Sequence, residues 1–222
     1  MKKLKLLAVL SVVLFAAASC APRADRKAEI IERIEAGEIP EDVVVYTLNP
    51  VASEVAWEGK RITGGGHDGT IGVKGGELYV YEGDLLGGEV FIDMTRIVVL
   101  DIEDPENNAR LKGHLESDDF FSVADYPEAN LEIVRFEPIE DAMPGEANYR
   151  VFGNLTIKDI THGIAFDAII DQQEQTISAK AEFSFDRSLY EVRFGSGSFF
   201  DDLGDNLILD EITLGVDIVA GR

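Results

Sequence analysis

Apolar and polar residues alternate along most of the chain after Pro40, and a period of two is typical of β-strands with one buried face. The clearest alternation runs through residues 176–186, where every second side chain is apolar: Ile177, Ala179, Ala181, Phe183 and Phe185. The same pattern predicts strands at residues 43–48, 54–60, 69–74, 77–81, 88–94, 130–138, 149–158, 163–171 and 207–219. About eight or more such strands with glycine-rich turns predict an all-β, antiparallel barrel, because closure of the sheet removes exposed strand edges.

Three segments depart from this alternation. Residues 24–37 place Ile30, Ile31 and Ile34 on one helical face, which predicts a short amphipathic N-terminal helix. Residues 104–126 contain a proline, paired asparagines and helix-forming residues, which predict a helical crossover. The pair Gly75-Gly76 predicts a two-residue hairpin turn. The predicted organisation is therefore a linker with a helix at residues 20–42, followed by one barrel domain at residues 43–222.

Residues 1–19 have the pattern of a bacterial export signal. Three lysines precede an apolar run from Leu6 to Ala18, which is shorter than the ~20 residues of a membrane-spanning helix. The segment Ala17-Ala18-Ser19-Cys20 resembles the lipobox, in which the cysteine receives a lipid anchor, although the lipobox usually has leucine where Ala17 stands. We therefore predict lipidation of Cys20, with simple secretion as the alternative. A single cysteine excludes an internal disulfide.

The chain is strongly acidic, with a formal net charge of -22. Removal of Lys2, Lys3 and Lys5 with the leader takes the 20 basic residues to 17, against 42 acidic residues, for a net charge of -25. Such a surface repels phosphate backbones and anionic headgroups, so we expect no nucleic-acid binding. A solvated acidic face and a cationic partner both explain this composition.

Six groups of residues occur in an order that is similar to the YceI-like family of exported, lipocalin-like proteins. They are SEVAWEG (53–59), GHDGTI (66–71), GGEVFIDM (87–94), LKGHLESDDFF (111–121) with YP (126–127), GNLTIK (153–158), and FDR (185–187) with GSGSFF (195–200). Each motif alone is weak, whereas six in this order and spacing are specific. The resemblance covers nearly all of the chain from about Val51 to Val219.

The resemblance implies a lipocalin-like barrel that binds a long apolar lipid, such as a polyisoprenoid, an isoprenoid quinone or a fatty-acyl chain. A cavity for such a lipid needs apolar groups on inward strand faces, because each buried methylene contributes about 0.8 kcal/mol. The candidates for this lining are Trp57, Val90, Ile92, Phe120, Phe121, Leu155, Phe166, Phe183, Phe185 and Tyr190. From the residues alone, the core of a filled barrel explains the same side chains at least as well.

A lipid with a polar end also needs hydrogen-bond donors near the cavity. His67, His114 and Arg187 lie within the family motifs and are the candidates for this role. The alternative for each is a structural hydrogen bond, and Asp186 with Arg187 is also explained as a local ion pair at a strand end. Residues 195–198 lack the lysine and the following helix of a phosphate-binding loop, and therefore predict a turn or bulge.

The sequence gives little support for catalysis or for a metal centre. The chain has no Gly-x-Ser-x-Gly nucleophile motif, so we expect no enzyme, no catalytic residues and no cofactor. His67, His114 and His162 are 47 and 48 residues apart, without the short spacing of most zinc sites on one element. A metal site of three histidines therefore requires that the fold gather them.

Three functions stay open at this point. The first is a membrane-anchored lipoprotein that sequesters or transports a long-chain lipid in the periplasm or at the outer membrane. The second is a structural or interaction protein whose filled barrel docks a membrane partner, and the third is a metal-dependent function of the histidines. Ala21 after Cys20, in place of aspartate, favours the outer membrane by a sorting rule known from some bacteria. A homodimer of two barrels is also compatible with the sequence.

Overall fold

The structure is a computed structural model that describes residues 26–222. The predicted export signal and Cys20 lie outside the described residues. The strands are β1 (Glu29–Ile31), β2 (Val44–Leu48), β3 (Glu54–Arg61), β4 (Gly66–Tyr81), β5 (Asp84–Val99), β6 (Glu128–Pro138), β7 (Tyr149–Ile157), β8 (Ile160–Gln172), β9 (Thr176–Asp186) and β10 (Ile208–Gly221). One α-helix, α1 (Pro105–Glu116), joins β5 to β6, and two short 3-10 helices, Arg187–Tyr190 and Gly204–Asn206, precede β10.

Eight of the strands close into an antiparallel barrel. Strands β3 to β10 pair in chain order, each with the next, and β10 pairs with β3 to complete the circuit. Inward residues of these strands form one apolar core, which includes Val73, Ile164 and Ile177, each fully buried. The alternation in the sequence therefore predicted the fold class correctly. Within residues 26–222, no helix combines the length and the apolar composition that crossing a membrane requires.

Two short strands extend the wall where neighbouring barrel strands part. Strand β2 pairs with the last residues of β10 and with Glu77–Val80 of β4, next to the end of β3. Strand β1 pairs with Gly163–Ala165 of β8, a part of β8 that β9 does not reach. Both strands occupy positions where the main circuit would otherwise leave backbone groups without a partner.

The N-terminal helix predicted at residues 24–37 is wrong for the part that the structure describes. Residues 26–40 contain no helix, and Glu29–Ile31 forms β1. Ile30 and Ile31 are half-buried there, and Ile30 packs against the barrel core. Isoleucine is β-branched and favours strands, so an open strand edge on β8 outweighs the weak helical pattern.

The hairpin turn predicted at Gly75-Gly76 is also wrong. Both glycines lie inside β4, at an irregularity where the pairing with β5 shifts register between Val73 and Gly75. Their φ angles are 152° and 145°, and a side chain on Gly76 would collide with the backbone of Glu89. The actual turn is Glu82-Gly83, with φ angles of 52° and 97°, as a two-residue hairpin with two positive φ values requires.

The helical crossover predicted at residues 104–126 is present as α1 and the turns that follow it. Asp104 caps the helix, since its carboxylate accepts a hydrogen bond from the Asn107 amide at 2.9 Å, and Pro105 stands at the first helical position. Leu115 of α1 is buried, and the turn after α1 buries Phe120. The crossover thereby covers one end of the barrel.

Candidate functional site

The interior of the barrel contains two adjoining cavities. The first, which we name the distal chamber, has a volume of about 110 Å³ and lies away from α1, between residues such as Leu78, Leu85 and Ile177. The second, which we name the helix-side chamber, has a volume of about 220 Å³ and includes Leu111 and Leu115 of α1 in its wall. Val55, Ile92, Leu155 and Leu214 contribute to the walls of both chambers. The barrel therefore holds an elongated hollow that these four side chains divide.

The distal chamber is lined almost entirely by apolar side chains. Of the lining residues predicted from the sequence, Val90, Phe166 and Phe183 belong to it, together with the shared Ile92 and Leu155. They come from neighbouring strands whose inward faces converge, as the period of two requires. A hollow of this kind excludes water because it offers no hydrogen-bond partners.

The helix-side chamber has both aromatic and basic residues in its wall. The predicted aromatic residues Trp57, Phe120, Phe121 and Phe185 belong to this wall, and so do the three predicted polar candidates His67, His114 and Arg187. Lys60 and Arg61, at the end of β3, add two further basic side chains. This chamber therefore accepts an apolar chain and also offers hydrogen-bond donors.

Tyr190 is the one predicted lining residue that lies apart from both chambers. It is fully buried in the core, where its ring packs edge-on against Phe185 at 5.7 Å and against His162 at 5.2 Å between centroids. Burial raises the pKa of the Tyr190 phenol, and the hydroxyl has no hydrogen-bond partner within the described part of the chain. Tyr190 therefore packs behind Phe185, which belongs to the wall of the helix-side chamber.

Arg187 is a buried cation held by backbone carbonyl groups. Its guanidinium donates to Val192 O at 2.7 Å and to Ile208 O and Leu209 O at 3.3 Å. Asp210 Oδ1 lies 3.3 Å from Nη2, an ion pair by distance that lacks hydrogen-bond alignment. Burial lowers the pKa of Arg187, while Asp210 and then Asp186 act in the opposite direction. Arg187 thus fastens the segment before β10 to the barrel, in addition to its place in the chamber wall.

The local ion pair considered for Asp186 and Arg187 is replaced by a different arrangement. Asp186 caps the following 3-10 helix, since its Oδ1 accepts from the Ser188 amide at 2.8 Å and from the Ser188 hydroxyl at 2.6 Å. The ion-pair distance that the structure gives for Arg187 is to Asp210 on β10. Asp186 therefore stabilises the 3-10 helix, whereas Arg187 stabilises the segment before β10.

The two histidines of the chamber wall each contact a carboxylate. His67 Nδ1 lies 2.7 Å from Asp101 Oδ2, and His114 Nε2 lies 3.2 Å from Asp119 Oδ2. Burial alone would raise the pKa of Asp101, but hydrogen bonds from His67 and from the Asp68 amide outweigh it and lower that pKa. About a third of each histidine side chain is exposed, 36% for His67 and 32% for His114. Both rings are therefore placed between solvent and the chamber.

The fold does not gather the three histidines. His162 contacts the carbonyl oxygen of Leu189 at 3.1 Å, whereas His67 and His114 contact different aspartates. Within residues 26–222 no group of three or more histidine, cysteine or acidic side chains is arranged to hold a metal ion. The described residues therefore give the metal hypothesis no support.

Several wall residues escaped the sequence interpretation. Phe194, in the segment between β9 and β10, packs edge-on against His114 at 4.4 Å, and Ile208, the first residue of β10, also belongs to the wall of the helix-side chamber. The segment that contains Phe194 has no regular periodicity, so Phe194 carries no sequence signal, whereas Ile208 lies within the strand predicted at residues 207–219. Val55 and Leu214 do lie in alternating strands and were identifiable from the period of two, although the family motifs did not single out Leu214.

Comparisons with known proteins agree with this architecture. The sequence matches the model of the YceI-like domain over residues 46–220. BcnA from Burkholderia cenocepacia has a similar structure, with a TM-score of 0.59, 19% identity, and coverage of 78% of this chain and 99% of that one. A polyisoprenoid binding domain from Saccharophagus degradans, implicated in plant cell wall breakdown, has a TM-score of 0.56, 14% identity, and coverage of 80% and 98%. No curated protein matches the sequence.

Proposed function

Because the chain belongs to the YceI-like family, we propose that its barrel binds one long-chain apolar lipid, of the polyisoprenoid, isoprenoid-quinone or fatty-acyl type. The observation that carries the proposal is the pair of adjoining chambers inside the barrel, one lined by apolar side chains and the other by apolar and basic ones. The similar fold of a polyisoprenoid binding domain from Saccharophagus degradans supports it. The protein's role is then to sequester or transport the lipid, without chemistry of its own.

The size and chemistry of the chambers suit the tail of such a lipid. An apolar cavity of about 150 Å³ stays dry and takes up a molecule the size of benzene, and the helix-side chamber is larger than that at about 220 Å³. Small-molecule pockets run to about 300–1,000 Å³, so a long chain needs both chambers. A ligand that enters both must displace Leu155, Val55, Ile92 or Leu214 by rotamer changes at the division.

The distribution of polar groups gives the bound lipid a direction. The tail occupies the distal chamber, whose wall is apolar, and the polar end lies in the helix-side chamber with His67, His114 and Arg187. His67 and His114 are the better donors for a ligand, because each is partly exposed and keeps one ring nitrogen outside its aspartate contact. Arg187 is already engaged with three carbonyls.

In the cell, the proposed carrier is exported and held at a membrane by a lipid on Cys20, in the periplasm or at the outer membrane. The sequence Ala17-Ala18-Ser19-Cys20 supports this part of the proposal. A short tether keeps the barrel beside the bilayer in which its ligand is soluble. Solubility of the barrel at that surface is helped by its acidic composition.

A filled-chamber variant tests the proposal. Leu155→Trp adds a large side chain where the two chambers meet. We expect it to weaken binding of cis-parinaric acid, a fluorescent fatty acid, by at least about tenfold. A tenfold loss corresponds to about 1.4 kcal/mol, which is the contribution of about two buried methylenes of the ligand. Val45→Trp, at a partly exposed position on β2, is the matched control and should bind like the wild type. Equal affinity of all three proteins, or no binding by the wild type, favours the filled-barrel interaction protein instead.

A further inference from the structure

The wall of the helix-side chamber contains basic residues and no acidic ones. No aspartate or glutamate belongs to the wall that the described residues form, although the whole chain has 42 acidic residues against 20 lysines and arginines. A wall of this composition favours an anion over a cation, in contrast to the rest of this acidic protein. The five basic residues of the wall are Lys60, Arg61, His67, His114 and Arg187.

Four of these five basic side chains already have a carboxylate partner. None of the four carboxylates belongs to the chamber wall. Each of them reduces the attraction of its basic partner for a further anion. The pairs, with 2.7–3.3 Å between nitrogen and oxygen, are Lys60–Glu58, His67–Asp101, His114–Asp119 and Arg187–Asp210.

Arg61 is the exception among the five. Within residues 26–222 its guanidinium forms no salt bridge with a carboxylate. Arginine stays charged at physiological pH, and its planar fork of donors matches the geometry of a carboxylate or a phosphate. Arg61 therefore offers both its charge and its donors to a ligand of the chamber.

Strand pairing places Arg61 on the inner face of the barrel at the end of β3. Side chains alternate along a strand, so Trp57, Gly59 and Arg61 share one face. Gly59 stands directly opposite His67 on β4, and Arg61 stands opposite Ile208 on β10. His67 and Ile208 both belong to the chamber wall. Because Arg61 is exposed and also part of this wall, the chamber reaches solvent beside it.

Space for a headgroup remains between Arg61 and His67. The two residues are diagonal neighbours across β3 and β4, at a typical separation of roughly 7–8 Å. A Cβ at Gly59, which lies opposite His67, would have only Ile212 Cδ1 within 4 Å, at 3.4 Å. His67 Nδ1 is engaged by Asp101, and a protonated ring donates from both nitrogens. An anion beside Arg61 can therefore also accept a hydrogen bond from His67 Nε2.

We propose that Arg61 binds a negatively charged end of the lipid, so that the barrel selects an acidic lipid, such as a fatty acid or an isoprenoid phosphate, over a neutral one such as a quinone. This inference rests on the proposed lipid binding and adds the charge of the ligand. The anion lies where the chamber meets solvent, and the tail extends past Trp57 towards the distal chamber. A neutral headgroup gains no charge-assisted hydrogen bond at this position.

Matched acidic and neutral ligands test the selection. In the full chain with Cys20→Ser, we expect cis-parinaric acid to bind about tenfold more tightly than its methyl ester, because the two ligands share one tail and differ in charge. Arg61→Gln should bind both ligands about equally, with the affinity of the ester unchanged. Arg61→Lys, which keeps the charge, should retain part of the preference. The matched control is Arg110→Gln, at an exposed arginine of α1 outside the chamber wall, and it should bind like the parent protein.

A competition experiment distinguishes the two sources of the negative charge. Geranylgeranyl phosphate, the neutral alcohol geranylgeraniol and palmitic acid each displace the ester probe from the same proteins. The acid that displaces the probe at the lower concentration is the preferred class, phosphate or carboxylate. Both results support the proposal if Arg61→Gln removes the advantage of the acid over its neutral counterpart.

The same measurements separate failure of this inference from failure of the proposed function. Equal affinity of the parent protein for acid and ester, or a preference for the acid that survives in Arg61→Gln, would overturn selection by Arg61 and leave lipid binding intact. An equal loss of affinity for both ligands in Arg61→Gln would assign Arg61 to the structure of the chamber and would also overturn it. A parent protein that binds none of the lipids overturns the proposed function itself.

Discussion

Arg187 is a fully buried positive charge, and such a group is stable only when several hydrogen bonds or an opposite charge replace its lost hydration. Its side chain is 2% exposed and contacts three carbonyl groups and Asp210. A buried charge is tolerated when hydrogen bonds and an opposite charge replace the lost water. Arg187 therefore fixes the irregular segment from Val192 to Ile208, which carries one side of the helix-side chamber.

Replacement of this cation should be costly. Arg187→Met keeps most of the volume but leaves the buried carbonyls without their donor and Asp210 without its cation, and loss of one member of a buried pair typically destabilises by about 3–5 kcal/mol. We expect a loss at the lower end of this range, because Asp210 is 18% exposed. Urea unfolding measures it, with Arg193→Met at a 57% exposed side chain as the control. A loss no greater than that of the control would contradict this role.

Trp57 depends on the absence of a side chain on its neighbour across the strands. A Cβ at Gly69 would lie 2.8 Å from the Trp57 indole and would also collide with the Val98 carbonyl oxygen. The indole nitrogen has no hydrogen-bond partner within the described residues, although it is buried. Gly69 therefore sets the position of the one tryptophan in the chamber wall.

The same substitution should have opposite effects at two glycines. Gly69→Ala is expected to destabilise the protein by about 1–3 kcal/mol, because the backbone and the indole must both shift. Gly113→Ala, in α1 with no atom within 4 Å of the new methyl, should stabilise by up to about 1 kcal/mol through helix propensity. Thermal unfolding of both variants, with Trp57 fluorescence as the probe, checks the pair. Similar effects at the two sites would contradict the packing described for Trp57.

At the scale of secondary-structure elements, α1 acts as a cover whose start is set by one residue. Asp104 accepts from the Asn107 amide, and Leu111, His114 and Leu115 contribute to the helix-side chamber. A less stable first turn of α1 should therefore also displace the helix residues that form part of the chamber wall.

Removal of this cap should lower stability modestly. Asp104→Ala is expected to cost about 1 kcal/mol, the usual effect of losing an acidic N-cap. Asp104→Ser, which retains a capping oxygen, should restore most of it. Urea unfolding of the three proteins provides the comparison. Equal losses of unfolding free energy in Asp104→Ala and Asp104→Ser would contradict a capping role for the Asp104 carboxylate.

The strands were predictable because side-chain alternation is a local property. The pattern at residues 176–186 coincides with β9, since a strand with one face in the core must alternate. Strand β1 was not predictable, because its conformation follows from an open edge on β8 that only the assembled barrel creates. The turn predicted at Gly75-Gly76 was wrong for a related reason. Glycine is needed there because β5 passes close to β4, which only the assembled sheet shows.

The candidate site was predictable only where its residues lie on regular strands. Inward residues on regular strands, such as Val90 and Phe183, follow from the alternation and reach the distal chamber. The amount of space left between them depends on packing from all sides of the barrel, which no single segment encodes. Phe194 comes from an irregular segment, and Tyr190 is buried in the core outside both chambers.

At the scale of the whole molecule, the barrel combines a closed apolar interior with an acidic chain of net charge -22. Under the proposed function the two properties serve different needs: the interior takes up an apolar tail, and the charge keeps the protein dispersed in water. Transfer of a lipid then requires contact with a membrane, because the tail cannot cross water freely.

The proposed anchor gives that contact and is open to a direct test. Cys20→Ser removes the only thiol that can carry the lipid, and we expect the protein to move from the membrane fraction to the soluble fraction. Ser19→Ala retains a small residue before the cysteine and should stay with the membrane. Fractionation followed by immunoblotting compares the variants. Membrane association of the Cys20→Ser protein at the wild-type level would contradict anchoring at this residue.

We propose that the hollow of the barrel holds a lipid. Organic extraction of the purified Cys20→Ser protein, followed by mass spectrometry, is the decisive measurement, because this variant is expected in the soluble fraction and is purified without detergent. We expect about one long-chain lipid per barrel, shared between the two adjoining chambers, and a depleted extract when Leu155→Trp is added. An extract of the Cys20→Ser protein that contains no long-chain lipid would contradict lipid binding in the barrel.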